Sequence, residues 1–88
     1  MEITEVKVFP VKDNDKLTAY ASIVFDDCFV IRDLRVISGT TGLFVAMPSR
    51  KRKDGSFRDT AHPLNMETRD KIEKSILESY KQKIANEV

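Results

Sequence analysis

From Leu17 to Phe25 the chain alternates without a break. Leu17, Ala19, Ala21, Ile23 and Phe25 fall on one parity, and Thr18, Tyr20, Ser22 and Val24 on the other. A period of two belongs to an extended strand, whose successive side chains point to opposite faces. One face is apolar and, at the two alanines, small. The strand must therefore lie in a sheet with one side covered. The paired alanines mark a spot where something bulky, such as a helix, comes close.

The rest of the chain supplies partners for that strand. Residues 2–11 read as a strand, with Thr4, Val6 and Val8 on one face and Ile3, Glu5, Lys7 and Phe9 on the other. Pro10 removes a backbone donor, so the far end is expected to lie at a sheet edge or to leave the sheet. Asp26-Asp27 reads as a tight hairpin tip leading into a strand over 28–37. Its alternation is imperfect: Ile31 and Ile37 share a parity with Asp33 and Arg35, while Leu34 and Val36 share one with Arg32. That pattern predicts a central strand or a bulge near Arg32-Asp33. A short strand follows over 43–47, then a basic loop over 49–56 carrying an Asp-Gly turn signal, and a further extended stretch over 57–62 that stops at His62-Pro63.

From about 66 to 84 the period changes. Ile72, Ile76, Leu77, Tyr80 and Ile84 form one helical stripe, Asn65 is a good N-cap, and Glu67 and Asp70 are acidic residues at the positive end of the dipole. The expected architecture is α+β: one domain over 1–88, with a small antiparallel sheet of about five strands packed against a C-terminal helix. A chain of 88 residues buries only about 60–65% of its unfolded surface. Leu43, Phe44, Val45, Ala46 and Met47 are apolar on both parities and carry no charge. An exposed edge strand of that kind invites pairing, so a strand-mediated homodimer with these five residues at its interface is expected.

Composition removes several function classes. A single cysteine, Cys28, excludes an internal disulfide and points to a reducing cytosol; its expected role is that of a small buried hydrophobe. One histidine and one cysteine cannot build a structural zinc site. No apolar run is long enough to span a bilayer, and Met1-Glu2-Ile3-Thr4-Glu5 is unlike a secretory signal. Ser49, Asp59 and His62 lack the local signatures of a nucleophilic centre, and His62 reads as a strand-ending residue with its ring bonded to backbone. No enzyme activity, metal or cofactor is expected.

Charge is uneven although the total is only +1. Residues 1–34 hold four cations against seven carboxylates, residues 35–62 six against two, and residues 63–88 five against five. The positive potential gathers at Arg50, Lys51, Arg52, Lys53 and Arg58, with Arg35 upstream. Such a cluster can neutralise several phosphates, with strongly salt-dependent affinity, and Arg50 and Arg52 could fork onto guanine edges. Phe44 and Phe57 flank the loop, and their neighbours suggest core or interface positions rather than stacking platforms. The plainer reading is a solvated loop that keeps an exposed hairpin soluble. Charge alone does not separate DNA from RNA, or either from an acidic protein.

Phe29 to Ile37, then Gly42-Leu43-Phe44-Val45-Ala46-Met47-Pro48-Ser49, then Asp54 to Asn65 with Phe57-Arg58-Asp59 and Ala61-His62-Pro63, together resemble the SpoVG family (stage V sporulation protein G, the septation proteins). The likeness extends more loosely over residues 1–28 and the helix. It implies a small α+β homodimer of the bacterial cytoplasm, a regulator tied to asymmetric septation in sporulating bacteria and elsewhere to gene expression through DNA and RNA. It implies no catalytic site, and it makes the segment after Ser49 the natural nucleic-acid contact. Where many members carry Lys-Arg-Thr-Pro-Asp-Gly, this chain has Arg50-Lys51-Arg52-Lys53-Asp54-Gly55. It is more basic and lacks the proline, which predicts a more mobile loop. The competing expectation is a protein-interaction regulator of septum formation, partnered by a cell-division protein, for which nucleic acid is incidental.

Overall fold

The computed structural model describes residues 1–12 and 15–86. Strands β1 (Ile3–Pro10), β2 (Leu17–Phe25), β3 (Phe29–Gly39) and β4 (Gly42–Ala46) form one antiparallel sheet in the order β1-β2-β3-β4. Strands β5 (Ser49–Lys51) and β6 (Phe57–Asp59) form a separate two-stranded ribbon, and helix α1 runs from Met66 to Asn86. The fold is α+β, with the helix covering one face of the larger sheet.

That face is built as the alternation requires. Ala19, Ala21, Ile23 and Phe25 of β2 are buried beside Val8, Leu34, Val36 and Val45, and Ile72 and Ile76 close the core from the helix. The helix packs on β2 as well as on β1 and β4, so the alanines lie where it comes close. Each large aliphatic buried here contributes about 1.5–3 kcal/mol. Ile84, expected on the same stripe, is instead exposed.

Of the three register shifts in the sheet, at Ile3/Glu5, Leu17/Ala19 and Ala21/Ile23, two explain the imperfect patterns. In β3, Leu34 pairs with Ala21 and Ile31 with Ile23, so Arg32 and Asp33 together oppose the single residue Ser22. Asp33 has φ of 65°, a left-handed value that an aspartate tolerates better than most residues. This bulge resets the parity. Ile31, Leu34 and Val36 all face the core, while Arg32 and Arg35 both face away from it. In β1, Ile3 pairs with Phe25 and Glu5 with Val24, leaving Thr4 as the extra residue. Ile3 therefore joins Val6 at the core despite its odd parity.

The β2–β3 hairpin turns at Asp26 and Asp27, with φ of 50° and 53°, the left-handed pair that a primed hairpin turn needs. The Cys28 amide donates to the Phe25 carbonyl at 3.0 Å, so Cys28 belongs to the turn and β3 starts one residue later. Its thiol is exposed. The expectation of a buried Cys28 fails because the turn places it outside the sheet.

The region after Met47 also departs from a simple five-stranded sheet. Pro48 cannot donate to a ladder, which ends β4, and the chain leaves the sheet there. The Pro48 carbonyl accepts both the Thr60 amide at 2.8 Å and the Thr60 hydroxyl at 3.1 Å, so both ends of the ribbon are tied at one point. The extended segment expected over 57–62 therefore stops at Asp59 and pairs only with β5. Residues 60–65 lead directly to the helix, where the Asn65 side chain accepts the Thr68 amide at 2.8 Å, as an N-cap should.

Candidate functional site

The ribbon carries every cation singled out in the sequence. Arg50 and Lys51 lie on β5, Arg52 and Lys53 in the connecting turn, and Arg58 on β6. The stretch expected as one loop over 49–56 is thus half strand and half turn. The ladder continues through the Arg52 amide bonded to the Ser56 carbonyl at 2.7 Å, and the Gly55 amide donates to the Arg52 carbonyl at 3.0 Å. Gly55 has φ of 92°, where a side chain would be strained. Asp54 accepts the Ser56 amide at 2.9 Å and the Ser56 hydroxyl at 2.6 Å. These bonds hold the turn in the absence of a proline. They also pull the Asp54 carboxyl below its ordinary range, the Ser56 hydroxyl contributing most.

The register sets the charges. Arg50 pairs directly with Arg58, and Lys51 with Phe57. Like charges directly opposite each other destabilise a ribbon by a few tenths of a kcal/mol up to about 1 kcal/mol. Neither arginine is ion-paired: among the described residues the one ion pair within 4.0 Å joins Lys7 and Glu5, on the opposite edge of the main sheet. All five ribbon cations, with Asp59 and Thr60, line one open groove of about 580 Å³. Five cations against Asp54 and Asp59 leave the segment 49–60 with a net charge of +3.

Arg35 reaches the base of this arm. Its Nη2 donates to the Ser49 hydroxyl at 3.1 Å, joining β3 to the first residue of β5. The sequence shows Arg35 only as a cation upstream. Its link to Ser49 and the tie between Thr60 and Pro48 depend on the crossing of distant segments, and no local pattern announces them. Phe57 is 67% exposed on the ribbon face opposite the arginine pair, so it is neither core nor buried interface within this chain.

Leu43, Phe44, Val45 and Ala46 form β4, an edge strand, and Met47 follows it. Val45 and Met47 turn into the subunit's own core, Leu43 packs beside them, and Phe44 is 45% exposed. The apolar run is thus consumed on one parity by the chain itself. What it leaves outward is Phe44 and the free backbone edge of β4.

The His62 ring donates from Nδ1 to the Pro63 carbonyl at 3.0 Å, the backbone bond expected of it. Among the described residues no group of three or more His, Cys, Asp or Glu side chains is placed to hold a metal. No described helix is long and apolar enough to cross a membrane.

The described residues thus form an α+β protein, a helix on a four-stranded sheet, that displays a separate two-stranded cationic ribbon. The family model for SpoVG matches residues 1–82, and the chain belongs to that family. It is 66% identical over 84 residues to a Bdellovibrio bacteriovorus protein named "Putative septation protein SpoVG", covering 96% of this chain and 77% of that one. Proteins of the same name from an Anaeromyxobacter species and from Phytoplasma australiense are 64% identical over 80 residues and 51% identical over 88. These alignments cover 91% and 100% of this chain, and 81% and 92% of those relatives.

Proposed function

We propose that the protein is a cytoplasmic, homodimeric regulator of septation and gene expression that binds nucleic acid, DNA or RNA, through the ribbon. The single observation that carries this reading is the facing pair Arg50 and Arg58 within a groove lined by three further cations and no ion-paired carboxylate. Such a site is unfavourable when empty and is relieved by a polyanion, whose phosphates neutralise the cations and release counterions. The septation part of the reading rests on the names of the relatives.

The dimer reading rests on β4. The opposite edge, β1, carries the Glu5–Lys7 ion pair and Pro10, both of which discourage strand addition. β4 carries neither charge nor proline. Antiparallel pairing of two β4 edges would continue the sheet across a two-fold axis and cover Phe44. Each dimer would then display two ribbons.

The test is replacement of Arg50, Lys51, Arg52 and Lys53 by alanine. Loss of gel shifts on DNA and RNA pools, with unchanged circular dichroism and unchanged sedimentation mass, is the expected result. Retained binding with an undiminished salt slope would defeat the assignment. The relatives' names, which denote septation and not nucleic acid, favour a second reading, a regulator that binds a cell-division protein. That reading predicts nucleic-acid affinity that vanishes near physiological salt, together with recovery of a division protein by pull-down.

A further inference from the structure

Helix α1 covers only one face of the four-stranded sheet. On the other face the register sets Phe9 opposite Tyr20, Tyr20 opposite Arg35, and Arg35 opposite Ala46, in one row across all four strands. Phe9 is 56% exposed and Tyr20 43% exposed. Beside them Val24, Val30, Lys7 and Arg32 help line an open groove of about 420 Å³. Glu5 and Asp33 also border it, and Glu5 is ion-paired to Lys7 at 3.7 Å. The β3 bulge is what sends Arg32 and Arg35 to this side. The row does not end at the sheet, because the Arg35 guanidinium bonds to Ser49, where the cationic ribbon begins.

We propose that this uncovered face is a stacking surface for unpaired bases, so that the ligand class is single-stranded nucleic acid in preference to duplex. The inference rests on the ribbon reading above and extends it. Flat aromatic rings exposed on a sheet, with guanidinium groups beside them, suit base faces, which a duplex keeps stacked inside itself. Adjacent strands lie about 4.8 Å apart, so the row spans roughly 14 Å, and Arg35 at its ribbon end can carry a strand's phosphates from one surface to the other. A second copy of this chain is the less suitable occupant. The centre of a protein–protein interface is depleted in charge, whereas Glu5, Lys7, Arg32 and Asp33 all line the groove on this face.

Fluorescence anisotropy on the full chain tests this with three probes: a 20-nucleotide thymidine strand, its duplex with the complementary adenosine strand, and an abasic strand of equal length. Tyr20→Thr keeps a strand-favouring residue and is expected to weaken the thymidine strand about tenfold, leaving the duplex and abasic strand unchanged. Tyr20→Phe is expected to restore the wild-type value. In a Tyr80→Phe background Tyr20 is the one remaining tyrosine, since the chain has 2. Its fluorescence should be quenched by the thymidine strand and not by the abasic strand, a readout that does not depend on altering Tyr20. Equal losses on all probes, no loss, absent quenching, or a fall in sedimentation mass with Tyr20→Thr would each overturn the proposal. If any of these occurs while the ribbon alanine variant still abolishes binding, the ribbon reading stands and the sheet face alone is excluded. If the wild-type chain binds none of the three probes, both fall.

Discussion

At the scale of single residues, the ribbon sets local stability against charge display. Arg58→Glu places an opposite charge across from Arg50 and should stabilise the ribbon by about 0.2–1 kcal/mol. The same change should abolish nucleic-acid binding. Thermal melting and a salt titration on the same sample would check both, and a variant that binds as tightly as wild type would remove Arg58 from the site. Asp54 is held ionised by Ser56 and titrates below the ordinary value of 3.8. A carboxyl lowered in the folded state stabilises the fold above its unfolded pKa, and that contribution is lost as pH falls below about 3.8 toward the lowered value. Ser56→Ala should raise the Asp54 carboxyl toward 3.8 in a carboxyl-carbon NMR titration. Cys28, exposed at the hairpin tip, should react fully with a thiol reagent under native conditions. Labelling that required denaturant would contradict its placement in the turn.

At the scale of elements, the helix and its cap hold the covered face of the sheet. Ile76 is fully buried against β-strand residues, so Ile76→Ala should cost about 2–5 kcal/mol by the lost burial and the cavity left behind. Asn65→Ala should cost about 1 kcal/mol through the lost Thr68 bond. Ile84→Ala should change stability little, because that side chain is 40% exposed. Chemical denaturation of the three variants gives the order, and an Ile84 cost equal to that of Ile76 would refute the packing. The ribbon differs in kind. Beyond its Arg35–Ser49 and Thr60–Pro48 ties it pairs mainly with itself, so its sequence can vary in charge without disturbing the core.

At the scale of the whole molecule, the two sheet edges are unequal, and the dimer proposal follows from that. Phe44→Lys should leave the subunit folded and shift sedimentation from dimer to monomer, since charge on an edge strand opposes addition of another strand. A variant still dimeric at low micromolar concentration would move the interface elsewhere. The unbroken alternation of Leu17 to Phe25, the Ile72–Ile76 stripe and the Asn65 cap each state their element locally, because a period and a cap are properties of neighbouring residues. The bulge at Arg32-Asp33 is also readable, as a clash of parities within one strand. Local pattern could not show that Val45 and Met47 belong to the subunit's own core while Phe44 does not, or that Arg50 faces Arg58. It also could not show that Cys28 falls outside the sheet, or that Arg35 crosses to Ser49. Those depend on strand register and on where Pro48 releases the chain. Register is decided by which distant segment lies alongside, and no stretch of chain carries that information by itself.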